Sequence, residues 1–141
     1  MIISGLTITK EYQRNLWLNT GNLTLLLEIK MQRINEKDCK YRGGDWGVKY
    51  ILRGPKIDWG VILLKPQQKL GVHSHREVEE TFYFIEGSPK IIIDDREYRA
   101  KEGDAFRIEA PEKHDVFNDT EKQVKVIFIK VPYLPQDKVK Y

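Results

Sequence analysis

The sequence predicts an all-β domain, either a sandwich or a closed barrel, and three observations support this prediction. From Trp46 onward, short apolar runs recur about every ten residues. Turn-forming residues such as Gly54-Pro55 and Asp94-Asp95 separate these runs. No segment of about 10 to 15 residues has a convincing 3.6-residue apolar period, which argues against strands that alternate with helices.

The order of these runs gives a provisional domain organisation. The predicted strands lie at residues 48–52, 59–64, 81–85, 90–93, 106–108, 116–117 and 124–131. We therefore predict a barrel at residues 46–132 and a proline-broken C-terminal tail at 133–141. Residues 1–45 are predicted to be an N-terminal β arm with a polar linker. Alternatively, residues 1–30 belong to the sheets of the barrel itself, or are an upstream extension of a gene whose usual start is Met31.

Composition and charge limit the classes of partner. Apolar residues make up 40% of the chain and charged residues 32%, as in soluble globular domains. The 24 basic and 21 acidic residues are interleaved, so no basic stripe for nucleic acid is present. The first residues lack the pattern of a secretory signal, and no apolar run approaches the ~20 residues of a membrane helix. We expect a cytoplasmic protein that binds neither nucleic acid nor membranes.

The three histidines form the pattern with the most chemical content. His73 and His75 are two residues apart, so in a strand both imidazoles point to the same face. His114 follows at the start of another predicted strand. One carboxylate from Glu79 or Glu80 would complete a set of three nitrogen ligands and one oxygen ligand. Strand alternation favours Glu80, because an inward Glu80 also turns Phe82 and Phe84 inward.

Two segments resemble the two conserved motifs of the cupin family. The first segment is GVHSHREVEETFYFIEG, residues 71–87, and counting back from Gly87 also selects Glu80. The second is GDAFRIEAPEKHDVFN, residues 103–118, with its proline and its histidine. Two turns depart from the pattern: Gln67 follows Pro66 where the family has glycine, and Asp94-Asp95 lacks the easier aspartate-glycine pair.

This resemblance implies a jelly-roll barrel, or double-stranded β-helix, that holds one divalent metal ion through His73, His75, Glu80 and His114. Such a ligand set suits Fe, Mn, Ni, Co or Zn. The implied function is binding of, or action on, a small polar metabolite, in the enzymatic case as an oxygenase, isomerase or lyase. The alternative is a non-catalytic module in which the metal fixes a sugar or another small ligand. Cupins are commonly dimers, so a homodimer is expected.

Four further residues are secondary candidates for the pocket. Phe82 and Phe84 are predicted chiefly as core residues that also face the pocket. Tyr83 and Arg107 are polar enough to act on a ligand, but they could equally face solvent. No residue outside the metal ligand set stands out as a general base, so the sequence leaves catalysis open.

Overall fold

The computed structural model of this protein describes residues 31–141. The predicted N-terminal arm at residues 1–30 lies outside the described residues. The arm and the expected homodimer both stay predictions.

Ten short strands provide most of the regular structure in residues 31–141. They are β1 (Gly47–Arg53), β2 (Asp58–Leu64), β3 (His73–His75), β4 (Glu79–Glu86), β5 (Lys90–Ile93), β6 (Arg96–Arg99), β7 (Ala105–Ile108), β8 (His114–Phe117), β9 (Val124–Val131) and β10 (Lys138–Lys140). One 3₁₀ helix, Glu36–Asp38, precedes them. Within the described residues there is no helix long and apolar enough to cross a membrane.

The strands form two five-stranded sheets with the orders β1-β2-β9-β4-β7 and β10-β3-β8-β5-β6. Neighbouring strands are antiparallel, as the pairings of β4 with β9 and of β5 with β8 illustrate. Buried side chains from both sheets, including Phe82, Phe128 and Val116, belong to one core cluster. The arrangement confirms the predicted all-β, double-stranded β-helix fold.

Strand β4 shows how the alternation of side chains builds this core. Phe82 and Phe84 are fully buried, whereas Tyr83 and Ile85 on the same strand are exposed. Burying a side chain of this size contributes about 1.5–3 kcal/mol, so the buried positions fix which face of β4 points inward. Because the side-chain period of a strand is two residues, Glu80 must point inward together with Phe82.

The two turns that lack the usual glycine still adopt left-handed backbone conformations. Gln67 has φ of 63°, and Asp94 and Asp95 have φ of 44° and 66°. Aspartate tolerates this region better than most residues, which explains how the hairpin between β5 and β6 forms without glycine. Gln67, Asp94 and Asp95 therefore occupy, without glycine, the backbone region that glycine favours.

Part of the predicted C-terminal tail forms a strand. Within residues 133–141, Lys138–Lys140 form β10, which pairs with β3. The side chain of Asp137 accepts hydrogen bonds from the backbone N–H groups of Glu77 and Val78 at 3.1 and 2.9 Å. These contacts attach the segment to the strand that carries two of the histidines.

Candidate metal centre

The three histidines enter the barrel from two neighbouring strands of one sheet. His73 and His75 occupy alternate positions of β3 and therefore share a face. Strand β8 pairs with β3 and places His114 opposite His73. All three side chains are buried. The local strand pairing is thus sufficient to bring the imidazoles together.

Glu80 reaches the same point from the other sheet. Its Oε2 lies 3.0 Å from Nε2 of His75, 3.1 Å from Nε2 of His114 and 3.6 Å from Nε2 of His73. One potential ligand atom from each of the four residues lies within 4.8 Å of the others. The four residues that the sequence predicted as ligands form one buried cluster.

The neighbouring Glu79 lies on the opposite face of β4. Its side chain is 43% exposed, and its carboxylate is 3.8 Å from Nε of Arg107. Glu80 is only 3% exposed. The choice of Glu80 over Glu79 therefore agrees with the strand parity in the structure.

Backbone carbonyl groups determine which imidazole nitrogens face the centre of the cluster. Nδ1 of His73 lies 2.8 Å from the carbonyl oxygen of Gly71, and Nδ1 of His114 lies 3.0 Å from that of Glu112. A carbonyl oxygen only accepts hydrogen bonds, so each Nδ1 carries the proton and donates it. In the neutral rings, each Nε2 then presents a lone pair towards Glu80.

The chemistry of these donors fits a metal ion. Nε2 of His114 and Nε2 of His73 turn lone pairs towards Oε2 of Glu80 at 3.1 and 3.6 Å. While the imidazoles are neutral, these three atoms have no proton to share. A divalent cation between them would accept all of these electron pairs. Backbone carbonyls that hold the outer nitrogen of a histidine are also the usual support of metal-binding imidazoles. The cluster could therefore hold a transition metal.

The ionisation states favoured by this environment are those that metal binding requires. Burial lowers the pKa of His73, which favours the neutral imidazole. For Glu80, burial raises the pKa, but hydrogen bonds that the three imidazoles donate when Nε2 carries a proton, together with the ammonium group of Lys130, outweigh it and hold the pKa well below the usual value. Glu80 is thus a carboxylate at neutral pH.

The outer ring nitrogen of His75, Nδ1, has different surroundings from those of the other two histidines. Its Nδ1 is buried and, within the described residues, has no hydrogen-bond partner. The closest acidic group is Asp137, whose Oδ2 lies 3.8 Å from this nitrogen. That distance is too long for a hydrogen bond but short enough for electrostatic attraction. Asp137 therefore places a negative charge beside the outer nitrogen of His75.

A cavity of about 350 Å³ opens beside the cluster. His73 and Glu80 form part of its wall, and Trp46, Tyr50 and Phe128 provide aromatic surface. Five cationic side chains also line it, namely Arg42, Lys69, Lys130, Lys138 and Lys140. Among the described residues, Glu80 contributes the only carboxylate of the lining. The cavity is small, partly apolar and strongly positive.

The strand register explains why three of these lysines line the cavity. Lys138 and Lys140 pair with His75 and His73, and Lys130 pairs with Glu80. Residues directly opposite each other in antiparallel strands have their side chains on the same face. Burial lowers the pKa of Lys138 to about 8, and the neighbouring charge of Lys130 acts in the same direction.

The four secondary pocket candidates do not line this cavity. Phe82 and Phe84 belong to the hydrophobic core, where the Phe82 ring lies 5.8 Å from that of His114. Tyr83 is 43% exposed, and Arg107, opposite Thr81, is on the same outer face. Both side chains thus lie on the outer face of the sheet, the alternative that the sequence left open for them.

Sequence reasoning missed the lysines of the cavity and Asp137. A signal for Lys130 was present, because it continues the inward alternation Val124, Val126, Phe128 of β9. Lys138 and Lys140 also alternate around Val139. Nothing local indicated that their strand pairs with β3.

The fold and the site together define a double-stranded β-helix protein with a His/His/Glu/His cluster inside its barrel. The family model for the cupin domain matches residues 60–130, which is half of the chain. The chain belongs to the cupin family. No curated protein matches it in sequence.

Solved structures of the same fold are distant in sequence. An uncharacterized conserved protein with a double-stranded β-helix domain from Klebsiella pneumoniae has a TM-score of 0.67 at 14% identity, covering 78% of this chain and 96% of that one. KdgF from Halomonas sp. has a TM-score of 0.62 at 16% identity, covering 74% and 96%. An oxalate oxidase in complex with the substrate analogue glycolate has a TM-score of 0.53 at 16% identity, covering 60% and 45%.

Proposed function

We propose that this cupin binds one divalent transition metal ion through His73, His75, Glu80 and His114, and binds a small polar metabolite at that ion. The convergence of imidazole nitrogens on one buried carboxylate oxygen is the observation that carries this proposal. Three nitrogen ligands and one oxygen ligand suit Fe, Mn, Ni, Co or Zn. A bound ion would supply Lewis-acid chemistry, and it would retain open positions for a ligand.

Two classes of activity are consistent with such a site. The enzymatic class comprises oxygenases, isomerases and lyases. The oxalate oxidase of the same fold, with its analogue glycolate, supports a small polar substrate. The second candidate is a non-catalytic binding module. It is favoured by one observation: outside the ligand set, the described lining of the cavity contains no carboxylate or imidazole that could accept a proton.

The first test compares two adjacent glutamates. Glu80→Ala is expected to weaken metal binding at least about tenfold, since the loss of even an outer partner of a metal ligand has effects of this order. Glu79→Ala removes the same group from the outer face and should leave metal affinity unchanged. Metal content by mass spectrometry and competition with a chelating dye measure both variants. Equal metal affinity in the wild type and Glu80→Ala would contradict the proposed site.

The second test concerns the support of His75. Asp137→Asn removes the negative charge near Nδ1 of His75 but keeps an oxygen for the N–H groups of Glu77 and Val78. We expect metal affinity to fall about tenfold with little change in thermal stability. Asp137→Ala, which also loses both hydrogen bonds, should lower the melting temperature as well. Unchanged metal affinity in both variants would show that Asp137 has only a structural role.

A further inference from the structure

The described lining of the cavity contains four lysines but only one carboxylate, that of Glu80. Lys130 has a side chain that is only 14% exposed, and its ammonium group is 3.6 Å from Oε1 of Glu80. Lys138 lines the same cavity from β10 and is partly buried, whereas Lys140, also in the lining, is exposed. Partly buried cations of like charge repel one another, so the grouping of Lys130 with Lys138 is unfavourable without a balancing negative charge.

Glu80 cannot balance all of these charges. It is already surrounded by three imidazoles and Lys130, and in the proposed metal site its negative charge would be shared with the ion. A divalent ion would add further positive charge to the same space. A neutral ligand would leave this excess uncompensated. An anionic ligand would compensate it at the point where the lysines and the metal site meet.

We propose that the metabolite is a small carboxylate, whose negative group lies between the metal site and the ammonium groups of Lys130 and Lys138. This inference rests on the proposed function. A carboxylate with a neighbouring hydroxyl or keto oxygen forms an unstrained chelate ring on one ion, whereas a phosphate forms a smaller, strained one. The aromatic surface of Trp46, Tyr50 and Phe128 would contact the less polar part of the molecule. The cavity volume of about 350 Å³ limits the ligand to a small molecule.

The experiment compares two probes of nearly the same shape and different charge. Metal-loaded, full-length protein is titrated by calorimetry with glycolate and with the neutral glycolamide. Charge-assisted contacts are about twice as strong as neutral ones, so we expect glycolate to bind at least about tenfold more tightly. The metal content of every sample is measured in parallel.

Variants of Lys138 test whether this preference comes from the cavity. Lys138→Met keeps the aliphatic stem and should weaken glycolate binding about tenfold without affecting glycolamide. Lys138→Arg keeps the charge and should restore most of the glycolate affinity. Lys101→Met makes the same charge change at an exposed position outside the cavity lining and serves as the matched control.

The possible outcomes separate this inference from the proposed metal site. Equal binding of glycolate and glycolamide, or unchanged glycolate binding in Lys138→Met, would overturn the anion assignment even if the metal is present. Tighter binding of inorganic phosphate than of glycolate would overturn the carboxylate class. A chain without metal would overturn the proposed function, whereas a preference for glycolate that depends on Lys138 would still support an anionic ligand.

Discussion

Replacing His75 with alanine is expected to reduce the metal content of the purified protein at least about tenfold, from close to one ion per chain. The imidazole of His75 makes the shortest contact with Glu80 in the cluster, 3.0 Å between Nε2 and Oε2. Its loss leaves two nitrogen ligands and one carboxylate, one protein donor fewer to hold the ion. Metal analysis of protein purified without chelator measures the effect.

The control for this variant lies on the same strand. Ser74 lies between the two histidines and points to the other face, where its hydroxyl is 3.1 Å from that of Tyr141. Ser74→Ala therefore tests the effect of altering β3 without altering the cluster, and it should retain its metal. A cooperative thermal transition in both variants would show that the barrel is intact. Full metal retention in folded His75→Ala would contradict the site.

The features that the sequence predicted correctly are those that depend on local alternation. The ligand cluster needed only the two-residue spacing of His73 and His75, the parity of Glu80 with Phe82, and a strand at His114. Each of these follows from the two-residue period of a β-strand and from the preference of apolar residues such as Phe82 for the buried face. The resemblance to the cupin motifs then predicted that these separate strands meet in one barrel, because cupin barrels pair their strands in a fixed order.

The same alternation could have decided which face Tyr83 occupies, but not which face Arg107 occupies. Once Glu80 points inward, Tyr83 must point outward, because the two positions differ by an odd number of residues. Arg107 lies opposite Thr81, which shares the outer face with Tyr83. The side of Tyr83 was thus available from parity, whereas that of Arg107 required the register between β4 and β7.

The contribution of the C-terminal segment could not be predicted in this way. Lys138 contacts the site only because β10 pairs with β3, more than sixty residues earlier in the chain. A pairing of three residues adds little local signal, and Pro135, three residues before Lys138, indicates a loop. Long-range strand pairing depends on which sheet edge is free and on the residues that flank it. The pattern of residues within one segment does not contain this information.

Phe82→Ala is expected to lower the free energy of unfolding by about 3–5 kcal/mol, the largest stability effect we predict for a single side chain. Phe82 is fully buried, belongs to the core cluster and lies 5.8 Å from the ring of His114. Removing the ring leaves a cavity that neighbouring strands, fixed by their ladders, fill only in part. Urea unfolding at a constant metal concentration measures the change.

Tyr83→Ala is the matched control, since the adjacent residue is 43% exposed on the outer face of the same strand. It loses only cross-strand contacts with residues such as Ile127, so we expect a cost of less than about 1 kcal/mol. Comparing the loss of unfolding free energy in the two variants therefore shows which face of β4 points to the core. A larger loss in Tyr83→Ala than in Phe82→Ala would reverse the parity of β4, and Glu80 would then no longer face the histidines.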